Sequence, residues 1–432
     1  MAEKLTDRPE WTESSTESLF LSMVRAPEDK RALGEDETYE DFHPTFTYPI
    51  YGEDETVYGY KGLRIDLKFT SGSLMNFLSA KWEDKLEAKT VDNVAQTLLE
   101  FLPPDVERDE AAFQKRVEED ALNFKPIGQP VYTYTRPSPR SKGKGKHTFE
   151  GNLLHPESED AVVYEVYHAR RDTPGFWDYH RRMQIFILLY IEAGSYIQED
   201  EEAWDFFVLY EKRKRVDASQ AQTYHFVGYS SLYNFYHYPE MTRLRLSQFV
   251  IIQPYQRSAH GSELYKAIYN YAVSHPHIGE LTVEDPAEAF EDLRDKNDLK
   301  MLLSNEAFMK EAFGEDAVSH GGGRVGKVGK ALKPKKGKIG PPVEKGWAEK
   351  WRVKLKIAGR QFSRLIEMLI QMHLDPLDVR AMKAYRLQVK ERLYRFNFEA
   401  LMQVEKEERL EHLQQTFEAV EQDYRRLIDL VK

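Results

Sequence analysis

Six residues, Gln256-Arg257-Ser258-Ala259-His260-Gly261, stand between an apolar run at Phe249–Ile252 and a helix-forming run at Ser262–Tyr271. If the first run is a strand and the second a helix, the six make the loop at the helix's amino end. The first backbone N–H groups of a helix have no partner inside it. Together with the helix dipole they favour an anion, commonly a phosphate. Gly261 lets backbone approach a ligand closely. A glycine at such a corner equally serves packing alone, and the residues leave both readings open. Glu284 and Asp285 close the next strand-like run, "GELTVED", just before Pro286. Carboxylates at a strand tip suit general acid–base work. They equally suit capping of a helix that starts at Pro286, and again the residues alone do not decide.

Other stretches carry weaker signals. Glu53-Asp54-Glu55 form an acidic turn, and "QEDEEAW" (Gln198–Trp204) adds acid and a large aromatic. Tyr233-Asn234-Phe235 lie in an aromatic run. Acidic loops are usually solvated faces and aromatic runs usually core. "GGGRVGKV" (Gly321–Val328) nearly spells a phosphate-binding G-x-x-x-x-G-K-[ST] loop. Val328 stands where the magnesium-binding hydroxyl belongs and no strand precedes it, so nucleotide hydrolysis is not expected. No HExxH or similar histidine spacing occurs, so no metal is expected. With no cysteine in the chain, disulfides, Cys-ligated zinc and thiol catalysis are excluded.

The elements that must position these residues follow from periodicity. "TVYGYKGLRIDLKF" (Thr56–Phe69) puts Leu63, Ile65, Leu67 and Phe69 on one side, as a strand does. Val91–Pro104 reads as a helix halted by prolines, and Arg136–His147 as a turn-rich loop between strands. Met183, Phe186, Ile187, Tyr190 and Ile191 recur at helical spacing within Phe176–Ile197. "DFFVLYEKRKR" reads as a strand, "TYHFVGYSSLYNFYHYP" as one or two more, and "RLRLSQFVII" as another. The helix "GSELYKAIYNYAVSH", the strand "GELTVED" and a helix with Pro286 in its first turn follow. Strand, helix and strand in quick order imply a parallel pair with a crossover helix. Gly314–Gly346, rich in Gly, Lys and Pro, reads as a flexible linker. Beyond it the chain is helical, with Phe362, Leu365, Leu369 and Met372 as a stripe and Asp375-Pro376 as a stop.

The 432 residues are too many for one ordinary core, and 41% apolar content suffices for a large one. Net charge is −11. Arg324–Lys345 holds eight basic residues against one acidic, a local +7 that leaves −18 on the rest. An acidic body argues against nucleic acid as the main ligand and favours a cationic partner. The amino terminus has no apolar core of signal type, and no run of about 18 apolar residues occurs. A soluble protein of the cytoplasm and nucleus is expected, with no membrane contact.

The loop's spacing resembles the Gln/Arg-x-x-Gly-x-Gly/Ala motif of the GNAT superfamily of N-acetyltransferases, whose loop amides hold the pyrophosphate of acetyl-CoA. Ala259 stands at the motif's first glycine. If that position has positive φ, alanine strains it. "YGEDETVYGYKGL", "YIEAGSYIQEDEEAWDFFVLYEK", "VGYSSLYNFYHYP", "RLSQFVIIQPYQRSAHGSELY" and "LTVEDP" resemble, in order, blocks of the type B histone acetyltransferase catalytic subunits. They cover roughly Tyr48–Asp298, and no strong likeness is seen from Gly314 onward. The resemblance implies an α+β fold: a GNAT-like mixed sheet flanked by helices, an N-terminal α/β domain and a C-terminal helical domain. It divides the chain into a substrate-binding part at 1–150, an acetyltransferase domain at 151–313, the linker at 314–346 and helices at 347–432.

The implied reaction is direct acetyl transfer from acetyl-CoA to the lysine ε-amine of newly made histones, chiefly the histone H-four tail. With no cysteine and no serine in a nucleophile elbow, no covalent intermediate is expected. By resemblance Glu284 matches the general base, with Asp285 and Glu192 as companion acids. Backbone of Phe249, Val250 and Ile251 positions the thioester arm. Gln256, Arg257, Ser258, Ala259, His260, Gly261 and Ser262 hold the diphosphate. Lys296 sits near a position for a basic cofactor contact, although an exposed helix lysine suits it better. Glu53, Asp54, Glu55, Trp204, Tyr233, Asn234 and Phe235 match tail-contacting stretches. A WD-repeat histone chaperone is the implied partner. Two rival readings stand: a GNAT acting on other protein amines, and a histone-binding module with little activity because Ala259 weakens the cofactor site. Lys327 and Lys330, set beside glycines as in a histone tail, suggest a self-directed substrate or competitor. A solvated linker or an import signal at Lys333–Lys338 are the plainer alternatives.

Overall fold

The computed structural model describes residues 9–35, 37–138, 154–158, 161–314 and 337–431. The segment holding Lys327 and Lys330 lies outside them, as do most of the Arg136–His147 loop and most of the lysines at 333–338. The backbone clusters into two compact units, Met1–Phe235 with Arg245–Tyr271, and Tyr236–Leu244 with Ala272–Lys432. These boundaries do not coincide with the four segments read from the sequence. One reason is a strand pairing, Tyr132 with Val166, that joins the two sides of residue 150 in one sheet.

In the first unit β1 (Leu19–Val24), β2 (Arg64–Thr70) and β3 (Asn76–Lys81) form a sheet in that order, β1 parallel to β2 and β2 antiparallel to β3. Ile65, Leu67 and Phe69 are wholly buried, as their alternation requires. The expected strand from Thr56 is broken into short pieces because Gly59 (φ +101°) and Gly62 (φ +61°) turn the backbone. The helix expected at Val91–Pro104 is confined to Val94–Leu99. Helix α1 (Glu110–Asn123) escaped periodicity because only Phe113 and Val117 are buried, packing on Val24, Ala26 and Phe77. Asp109 caps it: its Oδ1 accepts the Ala112 N–H at 2.7 Å.

The same unit holds β4 (Gln129–Pro137), β5 (Ala161–Arg170), β6 (Trp204–Lys214), β7 (Gln222–His237) as far as Phe235 and β8 (Met241–Ile251) from Arg245 on, in the order β8-β7-β6-β5-β4. The β4–β5, β5–β6 and β6–β7 pairs are antiparallel. Helices α2 (Phe176–Met183) and α3 (Ile185–Tyr190) connect β5 to β6, and α4 (His260–Ser274) follows β8. The β6–β7 register slips between Leu209 and Tyr210, which leaves Val227 out of that ladder. Its carbonyl accepts the Ile252 N–H at 3.0 Å. At the next residue only glycine fits, since a Cβ on Gly228 would lie 2.2 Å from the Val250 carbonyl oxygen. The close approach of β7 to the end of β8 depends on that missing side chain.

In the second unit β9 (Ile278–Val283) lies beside the opening residues of β8. Thr242 N–H donates to the His277 carbonyl at 2.8 Å, and the Thr282 hydroxyl reaches the Leu244 carbonyl at 3.5 Å. Both chains advance in the same sense, as a crossover through α4 requires. Helices α5 (Glu288–Ser304), α6 (Glu306–Phe313), α7 (Lys345–Leu355), α8 (Gly359–His373), α9 (Val379–Phe396) and α10 (Lys406–Asp429) complete the unit. Pro286 precedes α5 instead of sitting in its first turn. The N-cap is Ala287, with no side-chain cap. The stripe read from the sequence is the buried face of α8, where Phe362, Leu365 and Leu369 are buried. The Leu281 N–H donates to the Lys356 carbonyl at 2.8 Å, and Leu281 and Ile357 form a parallel bridge. Lys356 Nζ donates to the carbonyls of Ala272, Val273 and His275 at 2.9, 3.1 and 2.7 Å. A cation there satisfies the orphan carbonyls at the carboxyl end of α4. The chain thus has the expected α+β architecture, a GNAT-like mixed sheet flanked by helices with an N-terminal α/β part and a C-terminal helical part. No described helix is long and apolar enough to cross a membrane.

Candidate active site

The corner between β8 and α4 is a short turn, Gln253–Tyr255, then Gln256–Ala259, with α4 beginning at His260. Arg257 (φ +60°) and Ala259 (φ +61°) both lie in the left-handed region. For a residue with a Cβ that conformation costs roughly 1–2 kcal/mol. Left-handed residues in a turn aim neighbouring amides to one side and make a concavity for anions. Gln256, Arg257 and Ala259 are exposed, Ser258, Gly261 and Ser262 half-buried. The Gln256 side chain is spent on structure: its Nε2 donates to the Ile251 carbonyl at 2.8 Å and braces the end of β8.

The His260 side chain also has a structural partner. Its ring is buried, Nδ1 meets the Tyr134 hydroxyl at 2.6 Å, and the Tyr164 ring lies 4.5 Å away. Burial, aided by Arg136, pushes its pKa down to about 4, so it is neutral at pH 7. The imidazole packs the base of α4, and only its backbone faces the loop. Ala259→Gly is the matching test. Glycine relieves the left-handed strain and adds unfolded-state entropy, which partly offsets the gain. The expected net result is a gain of about 0.5–1 kcal/mol in loop stability and a few-fold lower Kd for CoA by calorimetry.

Glu192 is exposed in the turn after α3. The next residue, Ala193 (φ +55°), donates its N–H to the Tyr48 hydroxyl at 2.5 Å. Gln248 Nε2 donates to the Ser195 carbonyl at 2.8 Å, and its Oε1 accepts from the Ser231 hydroxyl at 2.9 Å. The turn bearing Glu192 is thereby fixed to β8, one residue before Phe249, and to the helical turn Tyr48–Tyr51 that precedes the acidic stretch. Phe249 is half-buried, Val250 and Ile251 buried. Glu284, Asp285 and Lys296 belong to the second unit. The two carboxylates are exposed past the end of β9, Asp285 at φ +28°. The N-cap position of α5 is Ala287, two residues beyond Asp285. Lys296 is half-buried on α5 between buried Asp295 and Asn297, so it is not the exposed helix lysine the sequence suggested.

Glu53 and Asp54 are exposed, but Glu55 is engaged. Its Oε1 accepts the N–H groups of Thr47 and Tyr48 at 2.5 and 3.1 Å and so closes the turn at Tyr48. Trp204 opens β6 with Nε1 donating to Glu201 at 2.7 Å. Its ring meets Tyr233 edge-on at 5.0 Å, Tyr233 lies 4.6 Å from Phe235, and the Arg245 guanidinium covers Phe235 at 4.1 Å. These three aromatics are half-buried and form one surface. Asn234 is otherwise occupied: its Nδ2 donates to the Ala203 carbonyl at 3.1 Å and to Asp205 at 3.0 Å. Burial works to raise the Asp205 carboxyl, but His168, Asn234 and Arg170 outweigh it and hold it lowered. Tyr48, Gln248 and Arg245 carried no spacing signal in the sequence, since each acts through contacts distant in the chain. Among the described residues no group of three or more His, Cys, Asp or Glu could hold a metal ion.

Residues 11–192 match the family model described as histone acetyl transferase HAT1 N-terminus, and residues 330–375 that described as fungal HAT1, C-terminal. The second match corrects the expectation of no likeness beyond Gly314. The histone acetyltransferase type B catalytic subunit of Cryptococcus neoformans var. neoformans serotype D is 48% identical over 436 residues, which span 100% of this chain and 99% of its own. The protein of the same description from Mycosarcoma maydis is 42% identical across 96% and 87% of the two chains. The one from Yarrowia lipolytica is 32% identical across 97% and 92%.

Proposed function

Because the chain belongs to the histone acetyltransferase type B catalytic subunits and is an acetyltransferase, we propose that it carries acetyl from acetyl-CoA to lysines of newly made, free histones, chiefly the histone H-four tail. The observation that carries the cofactor reading is the loop into α4, where Arg257 and Ala259 are left-handed at the positive end of a fifteen-residue helix. The loop amides, from Gln256 to Ser262, take the diphosphate. Backbone of Phe249, Val250 and Ile251 aligns the arm. Acetyl-CoA supplies a thioester, and the lysine nitrogen bonds its carbonyl carbon as the sulfur departs.

A lysine ammonium has a pKa of about 10.4, so baring its lone pair at pH 7 costs roughly 4–5 kcal/mol. Glu284 takes that proton, with Asp285 and Glu192 as the companion acids the family resemblance implies. Carboxylates near the amine also hold its charged form, which helps binding while opposing deprotonation. Glu53, Asp54 and the Trp204–Tyr233–Phe235 surface receive the cationic tail, the acids by steering and the rings by cation–π contact. A WD-repeat histone chaperone completes the assembly, working in cytoplasm and nucleus.

Titration with acetyl-CoA followed by assay on a histone H-four tail peptide tests the reading. Cofactor binding with tail turnover supports it. Tail binding without cofactor binding makes the chain a binding module, and turnover on other amines alone makes it a different acetyltransferase. A double substitution, Glu53→Gln with Asp54→Asn, should raise KM for the tail peptide about three- to tenfold at low salt and leave KM for acetyl-CoA unchanged. The gap should close as salt is added, because exposed charges are screened. A salt-independent loss would place these acids outside the groove.

A further inference from the structure

Beneath the β8–α4 corner, in the first unit, lies a charged network that none of the proposed chemistry uses. Arg25 follows β1, is 2% exposed, and directs Nη2 at Glu211 Oε2 and at the Tyr255 hydroxyl, both at 2.7 Å. Tyr255 donates to the same Glu211 oxygen at 2.5 Å. Glu211, on β6, is wholly buried and also pairs with Arg213, which reaches Glu37. The Arg25 guanidinium lies over the Tyr39 ring at 3.9 Å, and that ring is 5.0 Å from Tyr255. Buried ion pairs of this kind gain little stability over apolar packing, so their use is better sought in what they hold in place.

They hold Tyr255, the residue immediately before Gln256. Two left-handed residues with side chains follow within four positions, and such backbone persists only where its surroundings over-determine it. Side chains fasten the corner at Gln256 to Ile251, at His260 to Tyr134, and at Tyr255 to the Arg25–Glu211 pair. The third reaches farthest, linking residues 230 apart in the chain. Resting on the proposed cofactor reading, we propose that Tyr255, Arg25 and Glu211 are positioning residues for the diphosphate of acetyl-CoA, setting the loop's amides from below without touching the ligand.

The test is Tyr255→Phe in the full chain, which removes one hydroxyl and keeps the ring. Kinetics are compared for acetyl-CoA and for acetyl-pantetheine, which keeps the thioester and arm but lacks the diphosphate. The variant is expected to raise KM for acetyl-CoA about tenfold, with KM for acetyl-pantetheine and kcat within twofold of wild type. The tenfold corresponds to roughly 1.4 kcal/mol, the scale of one hydrogen bond. Arg25→Lys, which keeps the charge and shortens the reach, should show the same selective loss. A rise shared by both donors, or no rise, overturns the positioning role. If wild type itself fails to prefer acetyl-CoA over acetyl-pantetheine, the diphosphate reading of the loop falls first and this inference with it.

Discussion

Glu284→Gln is expected to lower turnover on a histone tail peptide about a hundredfold or more while acetyl-CoA binding stays near wild type. The amide keeps the size and polarity of the side chain and loses the capacity to take a proton. The bland alternative, a helix cap, would leave turnover intact and cost stability instead. Single-turnover rates with pre-bound acetyl-CoA separate chemistry from product release. Raising the pH supplies neutral lysine from solution, so the variant's deficit should shrink toward pH 9. A deficit that stays constant with pH would move Glu284 from proton acceptor to a role in holding the tail. Retained turnover would shift the base to Asp285 or Glu192.

The largest expected effect on stability comes from Glu211→Gln. The substitution leaves Arg25 and Arg213 facing a neutral amide in a buried site, and breaking such a pair costs about 3–5 kcal/mol. Burial works to raise the Glu211 carboxyl, but Arg213 and Arg25 outweigh it and hold it well below the usual carboxylate range. A folded-state pKa that is depressed contributes stability above the unfolded value, about 4.3, and loses it as pH falls through the folded one. The difference between wild type and variant in urea midpoint should therefore be constant from pH 7 to pH 5 and begin to narrow below about pH 4. A gap that ignores acid would mean the loss comes from packing and not from charge.

Much of this was legible in the sequence for a definable reason. Strand alternation at Ile65–Phe69, the helical stripe at Phe362–Leu369 and the loop before α4 are local patterns, and each survives folding unchanged. The left-handed φ of Ala259 was foreseeable only because a glycine motif said what the position demands. What the sequence did not show has a different cause. Gln256 and His260 look like ligand contacts in a linear motif, yet their side chains find partners at Ile251 and Tyr134. Glu55 sits in an acidic triplet and is consumed by the amides of Thr47 and Tyr48. Arg25 and Tyr255 meet from opposite parts of the chain, and no spacing rule encodes such a contact. Helix α1 buries too few apolar residues to show a period.

The bridge between Leu281 and Ile357 bears on solubility. A strand at the margin of a sheet offers unpaired amides and carbonyls to any other chain, the ordinary route to aggregation. The outer side of β9 would offer them at Leu281, three residues before Glu284. Instead the Lys356 carbonyl and the Ile357 bridge occupy it, and Arg352 pairs with Glu280 alongside at 3.0 Å. The helices that follow the glycine- and lysine-rich stretch thus act as a guard rail for the strand that leads to the proposed base, keeping foreign strands from adding there.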